Sequence, residues 1–152
     1  MAIRRFKVTP TISTSQYAAN EVVGSLLTFS GILSGTLQSI TICDNAGLSV
    51  DYFIVLFDSA PTSINDNATY DLEDRDLDKI IYQDSLAASA TRQGFHDNAY
   101  SYIYGLSVPI QTTTGKLYAF LITTGTPTYA ATDDITVTLQ IKDFDTVRNF
   151  EV

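Results

Sequence analysis

The sequence predicts an all-β fold, an antiparallel β-sandwich of jelly-roll type with about eight strands. Three observations support it: short segments in which apolar and polar residues alternate, turn-forming residues between them, and the lack of any long amphipathic helix pattern. Strands without covering helices must bury their apolar faces against each other, as two packed sheets or as a closed barrel. We favour the sandwich, with the barrel as the alternative.

The clearest strand is predicted at residues 135–142, where apolar and polar residues alternate through the whole segment. Residues 99–108 alternate in the same way. Residues 50–57 and 117–122 are apolar at both parities, which is typical of central strands covered on both faces. We therefore place these two strands in the middle of the core. Weaker strand candidates cover residues 3–9, 22–29, 36–43 and 79–83.

Residues 58–78 show no alternation, and a loop of this length in a compact domain usually carries structure or a task. Asp71, Glu73 and Asp74 would favour the positive end of a short helix, so we expect a short helical turn in this loop. Its carboxylates could also supply oxygen ligands for Ca²⁺, but their spacing fits no EF-hand, and we interpret the segment as a solvated acidic loop. The candidate ligands are Asp66, Asp71, Glu73, Asp74, Asp76 and Asp78.

The chain has 152 residues, enough for one domain with a sizeable core. We divide it into a basic N-terminal arm or edge strand at residues 1–8 and a single β-sandwich domain at residues 9–152. Arg4, Arg5 and Lys7 precede every acidic residue, although the formal net charge is −8. These three residues either blunt a sheet edge or bind an acidic surface of a partner, and we assign them as partner-binding residues. The acidic body argues against nucleic acid and anionic membranes as partners.

The sequence contains little that suggests catalysis. Its one histidine, His96, stands beside Asp97 on a predicted loop, and no serine lies in a nucleophile motif such as G-x-S-x-G. Cys43 has no second cysteine to pair with, so we interpret it as a small packing residue. We therefore expect a protein that is not an enzyme, with no catalytic residue, no cofactor and no metal. No signal peptide and no apolar run long enough to cross a bilayer is present, so we expect a soluble protein with no membrane partner.

Two groups of tyrosines allow more than one interpretation. Tyr100, Tyr102 and Tyr104 share one face of a predicted strand, which suits either core packing or a row of rings that stacks on sugars. Since Leu106 and Val108 continue that face, we favour core packing. The sequence Tyr-Ala-Ala also occurs twice, at residues 17–19 and 129–131, each time before a strand candidate. We interpret this repetition as chance.

Several short pieces spread over nearly the whole chain carry a family resemblance. The longest are GSLLTF at 24–29, LFDSAP at 56–61, GTPTYA at 125–130 and DITVTL at 134–139, and shorter ones lie at 8–11, 17–19, 37–41, 66–68 and 116–119. In these pieces the chain resembles a group of small virion structural proteins of tailed bacteriophages. It departs from that pattern at residues 1–7, where it is longer and more basic.

The resemblance implies a capsid decoration, or cement, protein made in the cytoplasm of a bacterial host and placed on the outer surface of the phage head. Its partner would be the major capsid protein, and we expect a homo-oligomer, with a trimer favoured. Relatives of this kind have no motif with an assigned role, so no functional residue is transferred. The alternative is a receptor- or carbohydrate-binding β-sandwich module of the tail or a fibre, which would use exposed tyrosines and the acidic loop.

Overall fold

The computed structural model describes residues 2–48, 50–87, 92–93 and 98–143. Two antiparallel sheets and one short 3₁₀ helix at Asp74–Lys79 make up its regular structure, so the prediction of an all-β chain with a short helical turn is confirmed. Within the described ranges, no helix is long and apolar enough to span a membrane. The strands are β1 (Ala2–Val8), β2 (Glu21–Ser30), β3 (Ser34–Asp44), β4 (Tyr52–Phe57), β5 (Ile80–Leu86), β6 (Arg92–Gln93), β7 (Ala99–Ile103), β8 (Val108–Gln111), β9 (Lys116–Thr123) and β10 (Ile135–Asp143).

The six-stranded sheet has the order β1-β10-β3-β7-β6, with β8 also paired to β3, and the four-stranded sheet has the order β2-β9-β4-β5. The strand predicted at residues 99–108 is divided into β7 and β8, which pair with different parts of β3. Gly105 lies between them with φ +73°, a left-handed conformation that glycine adopts without strain. β7 and β8 both run antiparallel to β3, so the chain keeps its direction, and the irregular stretch around Gly105 only interrupts the predicted strand.

One apolar core joins the two sheets. The inward positions of β10 are Ile135, Val137, Leu139 and Ile141, and all four are buried, as the alternation of residues 135–142 predicts. They belong to the same cluster of buried side chains as the inward residues of β3, β2, β4 and β9. Burial of this shared surface is the main force that holds the sheets together.

A second core lies on the other face of the four-stranded sheet. Val55 and Phe57 of β4 pack there with Phe120 of β9, and the cover over them comes from residues 58–79, which we call the cover segment. Tyr70 of this segment meets Phe120 edge to face, with ring centroids 5.8 Å apart. The prediction that β4 and β9 are covered on both faces is confirmed.

The two Tyr-Ala-Ala pieces are neighbours in space. Tyr17 and Tyr129 are both buried, with their rings edge to face at 5.8 Å, and the Tyr17 N–H donates to the Pro127 carbonyl at 2.9 Å. The Tyr129 hydroxyl is hydrogen-bonded to the Tyr52 hydroxyl, and burial raises the pKa of all three tyrosines above the ordinary value. These side chains are therefore neutral at physiological pH and tie two connecting segments to β4.

A bulge in β2 anchors the cover segment. The register of β2 against β9 shifts between Val23 and Leu27, and Gly24 within it has φ +85°. One oxygen of Asp66, in the cover segment, accepts the Gly24 N–H at 2.7 Å and the Tyr17 hydroxyl at 2.6 Å. A Cβ at Gly24 would lie 2.5 Å from the Pro10 Cβ, so both the backbone and the space at this position require glycine.

Gly24→Ala should destabilise the domain by about 2–4 kcal/mol, since it adds a steric clash with Pro10 to the cost of a left-handed alanine. Gly105→Ala is the matched control, because Gly105 also has a positive φ but a Cβ there meets nothing within 4 Å. It should cost only about 1 kcal/mol. Urea denaturation of the two variants measures both values, and equal losses would contradict the clash at Gly24.

Candidate partner-binding site

The outer face of the six-stranded sheet carries a shallow trough of about 740 Å³, which we call the outer trough. Its walls are long side chains, Arg5 and Lys7 on β1 and Tyr100 and Tyr104 at β7. Shorter side chains on β10 and β3 line the surface between the walls, and their backbones lie in the middle of the sheet. The trough is therefore produced by the contrast in side-chain length across four neighbouring strands.

The strand register places the two walls on opposite sides of a polar floor. Lys7 pairs with Thr138, Thr138 pairs with Thr41, and Thr41 pairs with Tyr102, so one row of side chains crosses all four strands. In the next row Arg5 pairs with Gln140. Three inter-strand steps separate β1 from β7, so the walls stand about 14 Å apart at the backbone.

The floor of the trough offers polar groups with unused hydrogen-bonding capacity. Within the described part of the chain, none of its hydroxyl and amide side chains makes a hydrogen bond to another residue. A molecule lying in the trough could therefore be hydrogen-bonded from below without breaking contacts inside the protein. These floor residues are Gln38, Ser39, Thr41, Thr138 and Gln140.

The tyrosines lie outside the core, so the prediction of core packing is wrong for them. Tyr100 is 40% exposed and Tyr104 is 61% exposed. The inward positions of β7 are instead filled by Ala99 and Ser101, which are buried. The prediction failed because the alternation shifts across the irregular stretch around Gly105: Ala99 and Ser101 are the buried positions of β7, whereas Ile110 is the buried position of β8. Leu106 accordingly packs against the core although Tyr104 does not.

The tyrosine rings stack on one another and do not form a coplanar platform. Tyr102 and Tyr104 have ring centroids 4.4 Å apart with planes inclined by 23°, and Tyr100 and Tyr102 are 5.6 Å apart at 33°. Tyr102 and Tyr104 therefore cover one ring face of each other, whereas Tyr100 is tilted against Tyr102. This contact reduces the ring area open to another molecule.

The basic residues of β1 divide between the two faces of the strand. β1 pairs with β10 from Ala2 to Val8 as an edge strand, so successive side chains point in opposite directions. Arg5 and Lys7 are exposed and line the trough, and neither makes an ion pair within the described ranges. Arg4 does not line the trough. Its guanidinium donates to Asp143 at 3.0 Å and lies 4.8 Å from the centroid of the Phe6 ring, which indicates a structural role.

The acidic residues of the cover segment do not form a common site. Asp66 holds the β2 bulge, and Glu73 is paired at the surface with Arg75 at 2.8 Å. Asp71, Asp74 and Asp78 are exposed. In the part of the chain that the structure describes, no group of three or more His, Cys, Asp and Glu side chains is arranged to hold a metal ion.

Asp76 contradicts the interpretation of residues 58–78 as a simple solvated loop, because its side chain has no exposed surface. Its carboxylate accepts a hydrogen bond from the Lys79 ammonium group at 2.7 Å and another from the Thr62 N–H at 2.8 Å. These hydrogen bonds, with that of Lys79 the larger cause, lower the pKa of Asp76 to about 2. The ion pair lies within the 3₁₀ helix, and the hydrogen bond from the Thr62 N–H joins that helix to the start of the cover segment.

Three further residues were singled out in the sequence: His96, Asp97 and Cys43. His96 and Asp97 lie outside the described residues. Cys43 is on the outward side of β3, where it is half-buried and lines the trough instead of packing in the core. The sequence shows the polar positions of residues 135–142, but it does not show that β10 pairs with β1 and β3. The polar floor was therefore not predicted.

The chain matches no protein-family model, and no curated protein sequence is significantly similar to it. The side chains of the outer trough provide two cations, exposed aromatic rings, hydroxyls and amides. This combination is typical of surfaces that bind other macromolecules, in which Tyr and Arg are enriched.

Asp76→Asn should lower the melting temperature at pH 7, because it removes the charge that pairs with Lys79. The pKa of Asp76 is about 2 in the folded chain, below the value of about 3.9 for an unfolded chain. The ionised carboxylate therefore stabilises the fold fully above about pH 4, and this contribution is lost as the pH falls toward 2. The difference between wild type and variant should shrink over that range.

Thermal unfolding followed by circular dichroism from pH 7 to pH 2 measures this effect. The control is Asp78→Asn, at an exposed carboxylate two residues away, which should leave the melting temperature nearly unchanged. A pH-independent difference between wild type and Asp76→Asn would show that the ion pair does not act as described.

Proposed function

We propose that this chain is a structural protein of a bacteriophage virion, a capsid decoration protein that binds the outer surface of the head and stabilises the shell. The observation that carries the proposal is the outer trough, an open surface bordered by cations and exposed tyrosines. The resemblance to phage virion proteins over nearly the whole chain supports the virion context. The partner would be the major capsid protein, and the site of assembly the host cytoplasm.

The strand pairings support the jelly-roll sandwich that belongs to this proposal. Pairing runs from the ends of the chain inward, β1 with β10, β2 with β9, β3 with β7 and β8, and β4 with β5, all antiparallel. Such a ribbon of paired strands, rolled so that β10 meets β3 and β9 meets β4, is the arrangement expected of a jelly roll and supports that part of the proposal. Jelly rolls are common in viral capsid proteins and lectins, so the plan favours a virion role without selecting a site.

The charge layout favours a binder that approaches an acidic surface in one orientation. The body of the chain is acidic, with a net charge of −8 for the whole chain, whereas Arg5 and Lys7 stand together on the outer face. Opposite charges on a partner would draw this face toward it and repel the rest of the protein. A homo-oligomer, with a trimer favoured, would present several such faces at once and add their affinities through linkage.

Binding of this kind stabilises a shell by mass action. A protein that binds the assembled subunits more tightly than the dissociated ones shifts the equilibrium toward the assembled state. A compact β-domain that needs no substrate can perform this task in many copies. Mass spectrometry of purified particles should therefore find the chain in numbers comparable with the shell protein, and cryo-electron microscopy should show it on the outer capsid surface. A copy number of about a dozen or fewer, as a ring at the neck or tail would require, would contradict the proposal.

A receptor- or carbohydrate-binding module of the tail or a fibre is the second candidate. The exposure of Tyr100 and Tyr104 on one sheet face favours it, since aromatic rings at a surface can stack on sugars. The mutual stacking of the rings with Tyr102 reduces the ring area open to a sugar. Binding to a glycan array, combined with a low copy number in the particle, would favour this candidate over the decoration protein.

Reversing the charges of Arg5 and Lys7 to Glu should weaken attachment to the capsid, and the difference from wild type should be largest at low salt, where charges are least screened. Both side chains are exposed, so the domain should stay folded. Deletion of residues 1–8 is a poorer test, because it would also uncover β10 and remove Phe6 and Val8, which pack against the core.

Occupancy is measured by incubating variant protein with undecorated particles at several salt concentrations and quantifying the bound chain after sedimentation. Lys116→Glu is the control, since Lys116 is exposed and lies outside the trough. It should bind almost as well as wild type. Equal occupancy by Arg5→Glu/Lys7→Glu and the control would argue against a role for the basic strand.

A further inference from the structure

The cations that are not used inside the protein are concentrated on one face. Among cations whose side chains are described, Arg4, Arg75 and Lys79 are in ion pairs. Of the others, Arg5 and Lys7 point outward from β1, and Lys142 points outward from β10, next to Ile3 in the register. Lys116 lies elsewhere, at the start of β9.

The same face carries no carboxylate in its described strands. β1, β6, β7 and β8 contain no Asp or Glu. The acidic residues of the other two strands, Asp44 in β3 and Asp143 in β10, are buried and not on the outer face. In a chain with a net charge of −8, the described residues that line the outer trough therefore carry a positive fixed charge. Its occupant should carry negative charge.

The spacing of Arg5 and Lys7 specifies the spacing of the negative groups. Two residues apart on a strand, they stand about 6.6 Å from each other along its axis. An extended chain places its own side chains i and i+2 on one side at the same spacing. Carboxylates at alternate positions of an extended segment, running alongside β1, would meet Arg5 and Lys7 one to one.

The floor and the opposite wall are suited to the rest of such a segment. The backbone groups of the sheet are already used in its ladders, so an extended chain lying on the face must be hydrogen-bonded by side chains. The hydroxyls and amides of Thr41, Thr138 and Gln140 are available for that purpose within the described part of the protein. The residue between the two carboxylates would point toward the tyrosine wall, where Tyr104 offers apolar contact. The stacked rings leave few open faces for pyranoses, which favours a polypeptide over a glycan.

We propose that the outer trough binds an extended acidic segment of a partner protein in which two carboxylate side chains are separated by one residue. The proposal rests on the proposed virion function for the identity of the partner, which would be the capsid protein, but the chemistry of recognition follows from the trough alone. It assigns charge recognition to Arg5 and Lys7, backbone recognition to Thr41, Thr138 and Gln140, and apolar contact to Tyr104.

The test uses the full chain, labelled with ¹⁵N, and the acetylated and amidated pentapeptide Thr-Asp-Val-Asp-Thr as the probe. Two-dimensional NMR titration detects binding even at millimolar affinity and reports where it occurs. We expect shift changes confined to the outer faces of β1, β10, β3 and β7. Two control peptides replace both Asp by Asn or place the two Asp side by side, and both should bind at least several-fold more weakly.

Variants show which groups are responsible. Arg5→Gln/Lys7→Gln should weaken binding of the acidic pentapeptide about tenfold, to the level of its Asn counterpart, because two exposed charge pairs are lost. Tyr104→Ala should weaken binding of all three peptides by a similar factor. Lys116→Gln, which removes an exposed cation outside the trough, should bind like wild type.

Three results would overturn the proposal: shift changes located away from the trough, equal binding of the acidic peptide and its Asn counterpart, and a glycan array on which acidic sugars bind the trough while the peptide does not. The result is separable from the proposed function. If the chain binds the peptide but is absent from particles, the peptide site is supported and the decoration role is contradicted. If the chain is abundant on the capsid surface but does not bind the peptide, the decoration role is supported and the peptide site is contradicted.

Discussion

The four-stranded sheet is apolar on both faces, and most other features of the molecule follow from the need to cover both. β4 and β9 contribute to the core shared with the six-stranded sheet through one set of alternate residues and to the second core through the other. Burial of an apolar side chain is worth about 1.5–3 kcal/mol, so leaving one face in water would cost more than a typical domain can spare. The cover segment provides the missing layer.

The polar residues of the cover segment keep that layer in position. Asp76 binds both Lys79 and the Thr62 N–H, and Asp66 binds both the β2 bulge and Tyr17. In isolation these acidic residues resemble a surface loop or a cation site. In the folded protein, Asp66 and Asp76 form hydrogen bonds that hold the cover segment against the apolar face of the four-stranded sheet. Their role is structural. With the four-stranded sheet covered, the outer face of the six-stranded sheet is the sheet face available for binding.

The outer face of the six-stranded sheet is polar because apolar and polar residues alternate along its strands. β10 sends its apolar residues inward and Thr136, Thr138 and Gln140 outward, and the long side chains of β1 and β7 rise on either side. The proposed partner-binding surface is thus a by-product of core formation that the flanking strands have shaped. The splitting of the basic residues follows from the same rule, since Arg4 is on the inner side of β1 and is used to bind Asp143.

Sequence alone was sufficient for every feature that depends on a residue and its near neighbours. The alternation in β10, the double-sided character of β4 and β9, the helical turn near Asp74 and the basic character of the first strand are all local patterns. The tertiary structure decided whatever depends on pairing between distant strands or on one backbone angle. The irregular stretch around Gly105 gives β7 and β8 different alternation, so Tyr100 and Tyr104 lie at the surface and not in the expected core. The pairing of β1, β10 and β3 assembled a polar floor from residues far apart in the chain. Local patterns specify which side of a strand is apolar, but only long-range contacts determine which strands lie side by side and which faces are left uncovered.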